Sequence, residues 1–164
     1  MEFCHIMPTD FLEKYAGKYN SHLMLAHLVE SDGRYADWYE AYDGVKILDN
    51  SAFEMYKQNK PMYPTEKLLE MGERVKADYI VMSDYPDQVG EVTISAAKEI
   101  APVFKQAGFG TFFCPQSKIG DIDDLINGFS WAANSPLVDY IGFSILNIPN
   151  AYGVEKNNKL QRYL

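Results

Sequence analysis

The sequence predicts an α/β fold of successive βα units with parallel strands, and three observations carry that prediction. Short apolar runs, several rich in β-branched or aromatic residues, alternate with amphipathic stretches of helical period. The alternation returns at roughly 30 residues per unit, the rhythm of parallel strands joined by crossover helices. The runs from Val45 onward lead into small or polar residues, as strands do where βα loops begin.

In chain order, His22 to Val29 reads as the first strand, and Ser31-Asp32-Gly33 opens a helix over Arg34 to Tyr42. Val45 to Leu48 is the second strand and ends in Asp49. Pro64-Thr65-Glu66 starts a helix with Leu68, Leu69, Met71 and Val75 on one face, and Pro64 or Thr65 suits its first position. Tyr79 to Met82 is the third strand, followed by Ser83-Asp84. Val92 to Gln106 carries Ile94, Ala97, Ile100, Ala101 and Phe104 at helical spacing and stops at Gly108. Pro102 inside that pattern predicts a kink or an early end. Thr111 to Cys114 is the fourth strand and leads into Pro115-Gln116, and Asp121 to Ala133 is the next helix, with Ile122, Leu125, Ile126 and Phe129 apolar. Tyr140 to Ile145 is the fifth strand, and Asn150 to Leu164 reads as another helix start. No clear internal repeat, linker or low-complexity tract interrupts the pattern, so residues 1–164 read as a single domain. Five strands fit a complete open doubly wound sheet. They equally fit the N-terminal five units of a (β/α)8 TIM barrel, truncated well short of the typical length of about 250 residues.

Composition narrows the function classes. With 164 residues, 47% hydrophobic and 23% charged, the chain is globular and able to bury a core. Fifteen Lys+Arg against 23 Asp+Glu give a formal charge of -8, which argues against a broad electrostatic grip on phosphates. No apolar stretch approaches the roughly 18 to 20 residues of a membrane span. Met-Glu-Phe-Cys-His lacks the basic start of a secretory signal. Cys4 and Cys114 are too few for a disulfide framework. No CxxC or HExxH supplies a metal site, and no GxGxxG or GxxxxGK[ST] supports nucleoside triphosphate chemistry. The expectation is a soluble, cytoplasmic protein with no membrane partner, no metal and no cofactor.

Polar residues fall where parallel folds bind ligands, at the carboxyl ends of the strands. Those ends read Asp49-Asn50-Ser51-Ala52-Phe53-Glu54, Ser83-Asp84-Tyr85-Pro86-Asp87, Cys114-Pro115-Gln116-Ser117-Lys118 and Gly142-Phe143-Ser144. Carboxylates and an amide on one rim suit the donor and acceptor edge of a heterocycle, and a carboxylate can also act as an acid or base. Each has a plainer role as well. An Asp after a strand often caps a helix or closes an Asx-turn, Gln116 can be a loop residue, and Phe53 can be core. Phe53, four residues after Asp49, is also placed to stack on a planar ligand. His22 and His27, read as five apart on one strand, point to opposite faces, so structural histidines are expected rather than a metal pair. Cys114 has no basic neighbour in sequence and reads as a buried thiol.

Taken together, these segments resemble the tRNA-guanine transglycosylases. Asp49-Asn50-Ser51-Ala52-Phe53-Glu54 resembles their DSGGFQ motif, and Met82-Ser83-Asp84-Tyr85-Pro86 is similar to the Asp and Pro-containing loop of the following unit. Pro115-Gln116 stands where the family has a base-contacting Gln, and Tyr140-Ile141-Gly142-Phe143-Ser144 resembles the Gly-ended strand that follows. The ordered set spans roughly residues 22 to 150 and is most similar to the divergent, often phage-encoded branch that inserts 7-deazaguanine bases into nucleic acid.

The resemblance implies a (β/α)8 barrel that exchanges guanine for a 7-deazaguanine base in tRNA or DNA, a pentosyltransferase reaction. It implies Asp49 as acid/base and base-edge group, with Asn50 beside it, and Phe53 stacked on the base. Asp84 and Gln116 would bond the purine edge, and a backbone N–H near Gly142 would hold the carbonyl oxygen. The chain departs from the family in three ways. Ser51-Ala52 replaces the glycine pair and tightens the pocket floor, and the family's zinc-binding Cys/His cluster is not present. The family's nucleophilic Asp lies in a later unit, and the only acid in residues 151–164 is Glu155. The expectation is thus a base-recognition half-site without a recognisable nucleophile. The alternative is a non-catalytic purine- or deazaguanine-binding protein, a truncated barrel that forms a homo-oligomer to cover its sheet edge. An unrelated βα enzyme whose strand-end carboxylates do other acid/base work is a third reading. Lys156, Lys159 and Arg162, at helical spacing, would serve a nucleic acid or simply form a solvated helix face.

Overall fold

A computed structural model of the chain describes residues 4–144 and 146–154. Five strands, β1 (Ser21–Leu25), β2 (Val45–Asp49), β3 (Tyr79–Val81), β4 (Gly110–Phe113) and β5 (Tyr140–Ile141), form a parallel sheet in the order β1-β2-β3-β4-β5. A doubly wound sheet reverses its strand order at a switch point. This sheet does not reverse, so its order is that of consecutive barrel strands. Between the strands run α2 (Ala26–Ser31) and α3 (Gly33–Ala41), then α4 (Ala52–Lys57) and α5 (Thr65–Val75), α6 (Gly90–Gln106) and α7 (Ile122–Asn134). A short α1 (Leu12–Tyr15) precedes β1, and α8 (Asn147–Ala151) follows β5.

Local chemistry explains most of the boundaries. Asp32 caps α3 by accepting the Arg34 N–H at 3.0 Å, and Asp121 caps α7 through the Asp124 N–H, also at 3.0 Å. Pro64 stands at the N-cap of α5. Helix α6 gives way to Gly108, at φ 91°, with the Phe109 N–H returning to the Phe104 carbonyl.

Four expectations need correction. The run His22 to Val29 is not one strand: β1 stops at Leu25 and α2 begins at Ala26. A short run that is apolar throughout does not distinguish a strand from a buried helix. The backbone turns there because the Leu25 N–H goes to the Tyr35 hydroxyl (3.1 Å) and the His27 N–H to Ser51 Oγ (3.2 Å). His22 and His27 therefore sit on different elements. Of the kink or early end expected at Pro102, the early end does not occur: α6 continues to Gln106, with Pro102 on its exposed side, where a carbonyl left without a helical donor meets water. Strand β5 ends at Ile141, not Ile145, since Ser144 Oγ accepts the N–H groups of Leu146 (3.3 Å) and Asn147 (3.1 Å) and starts α8 three residues earlier than Asn150. The Asp49 to Glu54 segment is only partly a loop, because α4 begins at Ala52. Ile145, Glu155, Lys156, Lys159 and Arg162 lie outside the described residues.

The chain forms two compact units. The first is Met1–Val81 with Phe104–Gly110. Its core sets Met24, Leu48 and Ile80 of the strands against Tyr35 and Tyr39 of α3, Leu68 and Val75 of α5, and Phe104, all fully buried. Each such side chain contributes roughly 1.5–3 kcal/mol by leaving water. A Cβ at Gly72 of α5 would stand 2.6 Å from Ile80 Cδ1, so an alanine there would have to displace the end of the Ile80 side chain. His22 is enclosed, hydrogen-bonded to the Tyr39 hydroxyl (3.0 Å) and the Ala16 carbonyl (3.1 Å). Lys46, buried within β2, sends Nζ to the Tyr42 carbonyl (2.9 Å) and the Tyr39 carbonyl (3.4 Å), where α3 ends. Burial pulls its pKa down.

The second unit is Met82–Val103 with Thr111–Leu164. Phe113 of β4 packs its ring 5.0 Å from that of Trp131, beside buried Ala97 and Ala101 of α6 and Leu125 and Ala132 of α7. The Gly90 N–H, at the start of α6, donates to Asp124 Oδ2 at 2.7 Å.

One device recurs in both units. Asp78, just before β3, accepts the Lys46 N–H on Oδ2 (2.8 Å) and donates its own N–H to the Lys46 carbonyl (2.9 Å). Asp139, just before β5, does the same to Thr111 of β4, at 2.8 and 3.1 Å. Each carboxylate thus fixes the register of its strand against the preceding one at the N-terminal ends.

Candidate functional site

Asp49, Asn50 and Phe53 belong to the first unit and occupy one strand-to-helix turn. Asp49 is the last residue of β2, half-buried, and pairs in register with Leu25. Its Oδ1 accepts the Ser51 N–H at 2.7 Å, and Asn50 Oδ1 accepts the Ala52 N–H at 2.8 Å. Two overlapping Asx-turns therefore bend the chain out of the sheet and into α4. Asn50 is almost wholly buried in that role. The Asp49 charge is felt at Tyr35, whose hydroxyl pKa rises through burial first, with the carboxylate adding to it. Phe53 lies in the first turn of α4 and is 39% exposed, which leaves ring surface for a planar ligand. The Lys57 ammonium stands 4.2 Å from its ring centroid, so one face of the ring already has a cation.

Asp84, Gln116 and Gly142 belong to the second unit. Asp84 is three residues past β3 and Gln116 three past β4, and both side chains are buried, 6% and 5% exposed. The structure brings these two together: Gln116 Nε2 donates to Asp84 Oδ2. The loops that carry them are tied down on both sides. The Tyr85 N–H donates to Thr93 Oγ1 (3.1 Å), and Asn147 Nδ2 donates to the Pro115 carbonyl (2.7 Å). Gly142 is required by close approach, since a Cβ there would stand 2.5 Å from Cys114 Sγ and 2.6 Å from the Phe112 ring. Its own N–H continues the ladder to the Phe113 carbonyl at 2.8 Å. A backbone donor for a ligand carbonyl must then come from residues after Gly142.

No protein-family model matches this chain, and a search of curated proteins found no match either. The chemistry of these residues therefore rests on their geometry. Among the described residues, no group of three or more His, Cys, Asp or Glu side chains could hold a metal ion. Among the same residues, no helix is long and apolar enough to cross a membrane.

The contact between two residues of the first turn, His27 and Ser51, escapes a sequence-only reading. Ser51 is fully buried and left-handed, at φ 56° and ψ 32°, and its Oγ lies 2.9 Å from His27 Nδ1. A serine between an Asx-turn and a helix gives no sign of its backbone conformation. His27 is 24 residues away and reaches Ser51 only because β1 and β2 are neighbours.

Proposed function

We propose that this chain carries the base-recognition residues of a tRNA-guanine transglycosylase-like protein, one that takes up guanine or a 7-deazaguanine base for exchange in tRNA or DNA. The observation that supports this reading most is the buried pair of Asp84 and Gln116 at the carboxyl ends of β3 and β4. A carboxylate only accepts hydrogen bonds, whereas a carboxamide both donates and accepts. Guanine presents two adjacent donors, N1–H and the exocyclic amine, next to a carbonyl acceptor. An Asp–Gln pair matches that edge, and adenine, with its ring acceptor in place of N1–H, does not. In the same reading Asp49 serves as acid/base and Phe53 as the stacking ring. The exchange step would also need a nucleophile, which the resemblance places in a later βα unit.

Calorimetric titration with guanine, 7-deazaguanine and adenine tests the recognition step. The first two should bind and adenine should not. Asp84→Asn keeps an oxygen for Gln116 but removes the charge, and Asp49→Asn does the equivalent in the first unit. Each should weaken binding about tenfold, the usual cost of leaving a buried partner mispaired. Equal affinity for adenine, or an unchanged affinity in both variants, overturns the reading. Binding with no incorporation of labelled base into tRNA or DNA would identify a base-binding protein.

A further inference from the structure

Ser51 is held in a left-handed backbone conformation that carries a steric penalty for a residue with a Cβ. Its hydroxyl is held by His27. The His27 N–H donates to Ser51 Oγ at 3.2 Å, and His27 Nδ1 lies 2.9 Å from the same oxygen. The same residue meets Asp49, because the Ser51 N–H donates to Asp49 Oδ1 at 2.7 Å, so the two contacts share one residue. The chain leaves Ser51 as helix α4, with the Met55 N–H on the Ser51 carbonyl at 3.0 Å.

We propose that His27 is a positioning residue: by holding Ser51 in its left-handed turn, it fixes the orientation of the Asp49 carboxylate at the end of β2. Recognition of a planar base tolerates little rotation of a carboxylate, and the Ser51 N–H is one contact that limits it. The imidazole is well suited to the task. It comes from the start of α2, directly after the strand that pairs with β2, so its distance from Ser51 is set by the sheet. The functional consequence rests on the base-binding reading, whereas the positioning itself is a local property of the turn.

Glycine separates this role from ordinary packing, because it adopts positive φ without a steric penalty. A glycine at position 51 should keep the turn, and the residue-51 N–H on Asp49, without help from His27. An alanine there loses Oγ and retains the penalty, so the turn should open. The experiment is amide hydrogen exchange at residue 51 by NMR, referenced to the Leu48 amide as a report of global opening, with 7-deazaguanine affinity measured on the same proteins. His27→Ala should speed exchange at residue 51 relative to Leu48 and weaken 7-deazaguanine binding about fivefold, the effect of one hydrogen bond. His27→Asn, which keeps a polar atom near the place of Nδ1, should remain close to wild type. The double variant His27→Ala with Ser51→Gly should recover both protection and affinity. If His27→Ala does not fold, Ser51→Gly against Ser51→Ala asks the same question, and only the alanine should lose protection.

Unchanged exchange at residue 51 in His27→Ala overturns the proposal. So does a double variant no better than His27→Ala, or equal protection with glycine and alanine at position 51. If exchange behaves as expected but wild type binds no 7-deazaguanine, the base-binding reading fails and the positioning of Asp49 by His27 stands.

Discussion

The buried His22 imidazole makes the stability of the first unit depend on pH. Burial pushes its pKa below the usual histidine value, and His5, with a ring centroid 6.3 Å away, acts in the same direction. The unfolded chain then takes up a proton at a higher pH than the folded one. The stability this group contributes is fully present above its unfolded pKa of about 6.5 and is lost as pH falls toward the folded pKa. The urea midpoint should therefore drop between about pH 7.5 and pH 5.5, and His22→Gln should flatten that slope whatever it costs at neutral pH. An unaltered slope in the variant would assign the dependence to other groups. A structural role for His22 was legible in the sequence because isolated histidines in apolar runs usually find a hydrogen-bond partner. Its partners were not, since the Tyr39 hydroxyl reaches it only across the packing of α3 on β1. Lys46 was hidden for a related reason. Inside the run Val45 to Leu48 it reads as a polar interruption, and the carbonyls at the end of α3, with the charges of Asp78 and Asp43, make its burial tolerable.

Among the elements, the strand registers carry the clearest prediction. Asp78 and Asp139 each accept a backbone N–H from the preceding strand, and Asp139 also accepts the Thr111 hydroxyl at 3.0 Å. Asp78→Ala and Asp139→Ala should each cost about 1–2 kcal/mol in chemical denaturation, because a hydrogen bond to a charged group is lost and a strand-end N–H is left without its partner. A loss below about 0.5 kcal/mol in both would mean that the ladder alone holds the register. This device was written in the sequence and easily overlooked. Asp78, Tyr79, Ile80 and Ser83 match Asp139, Tyr140, Ile141 and Ser144 at identical spacing. Six residues with four identities are too short to register as a repeat until both carboxylates are seen making the same contacts. The helices α3, α5, α6 and α7 were legible within about two residues at most ends, because their apolar faces follow the helical period. Helices α2 and α4 were not, since six residues give too few turns for a period to emerge.

At the scale of the whole molecule, the βα alternation was legible from the spacing of apolar runs, but the choice between architectures was not, because strand order is a long-range property. The unbroken order β1 to β5 decides it. That Asp49, Asp84 and Gln116 stand at or just past the carboxyl ends of β2, β3 and β4 was legible, because each follows a short apolar run. What each side chain does there was not, as Asn50, buried in an Asx-turn, illustrates. Phe143 is 72% exposed, with its ring stacked 4.8 Å from that of Phe129, and we propose it as a contact of the homo-oligomer that the truncated-barrel reading expects. On that ground a homo-oligomer should be visible by sedimentation, with Phe143→Asp shifting it toward monomer. A monomeric wild type would remove the expectation. The Asp78 and Asp139 contacts have one more consequence. They lie at the N-terminal ends of the strands, whereas Asp49, Asp84 and Gln116 stand at or past the carboxyl ends, so the register contacts share no residue with the proposed base site. Libraries randomised at Phe53, Tyr85 and Lys118 should keep most members folded, and the chain could gain a ligand without first having to relearn how to fold.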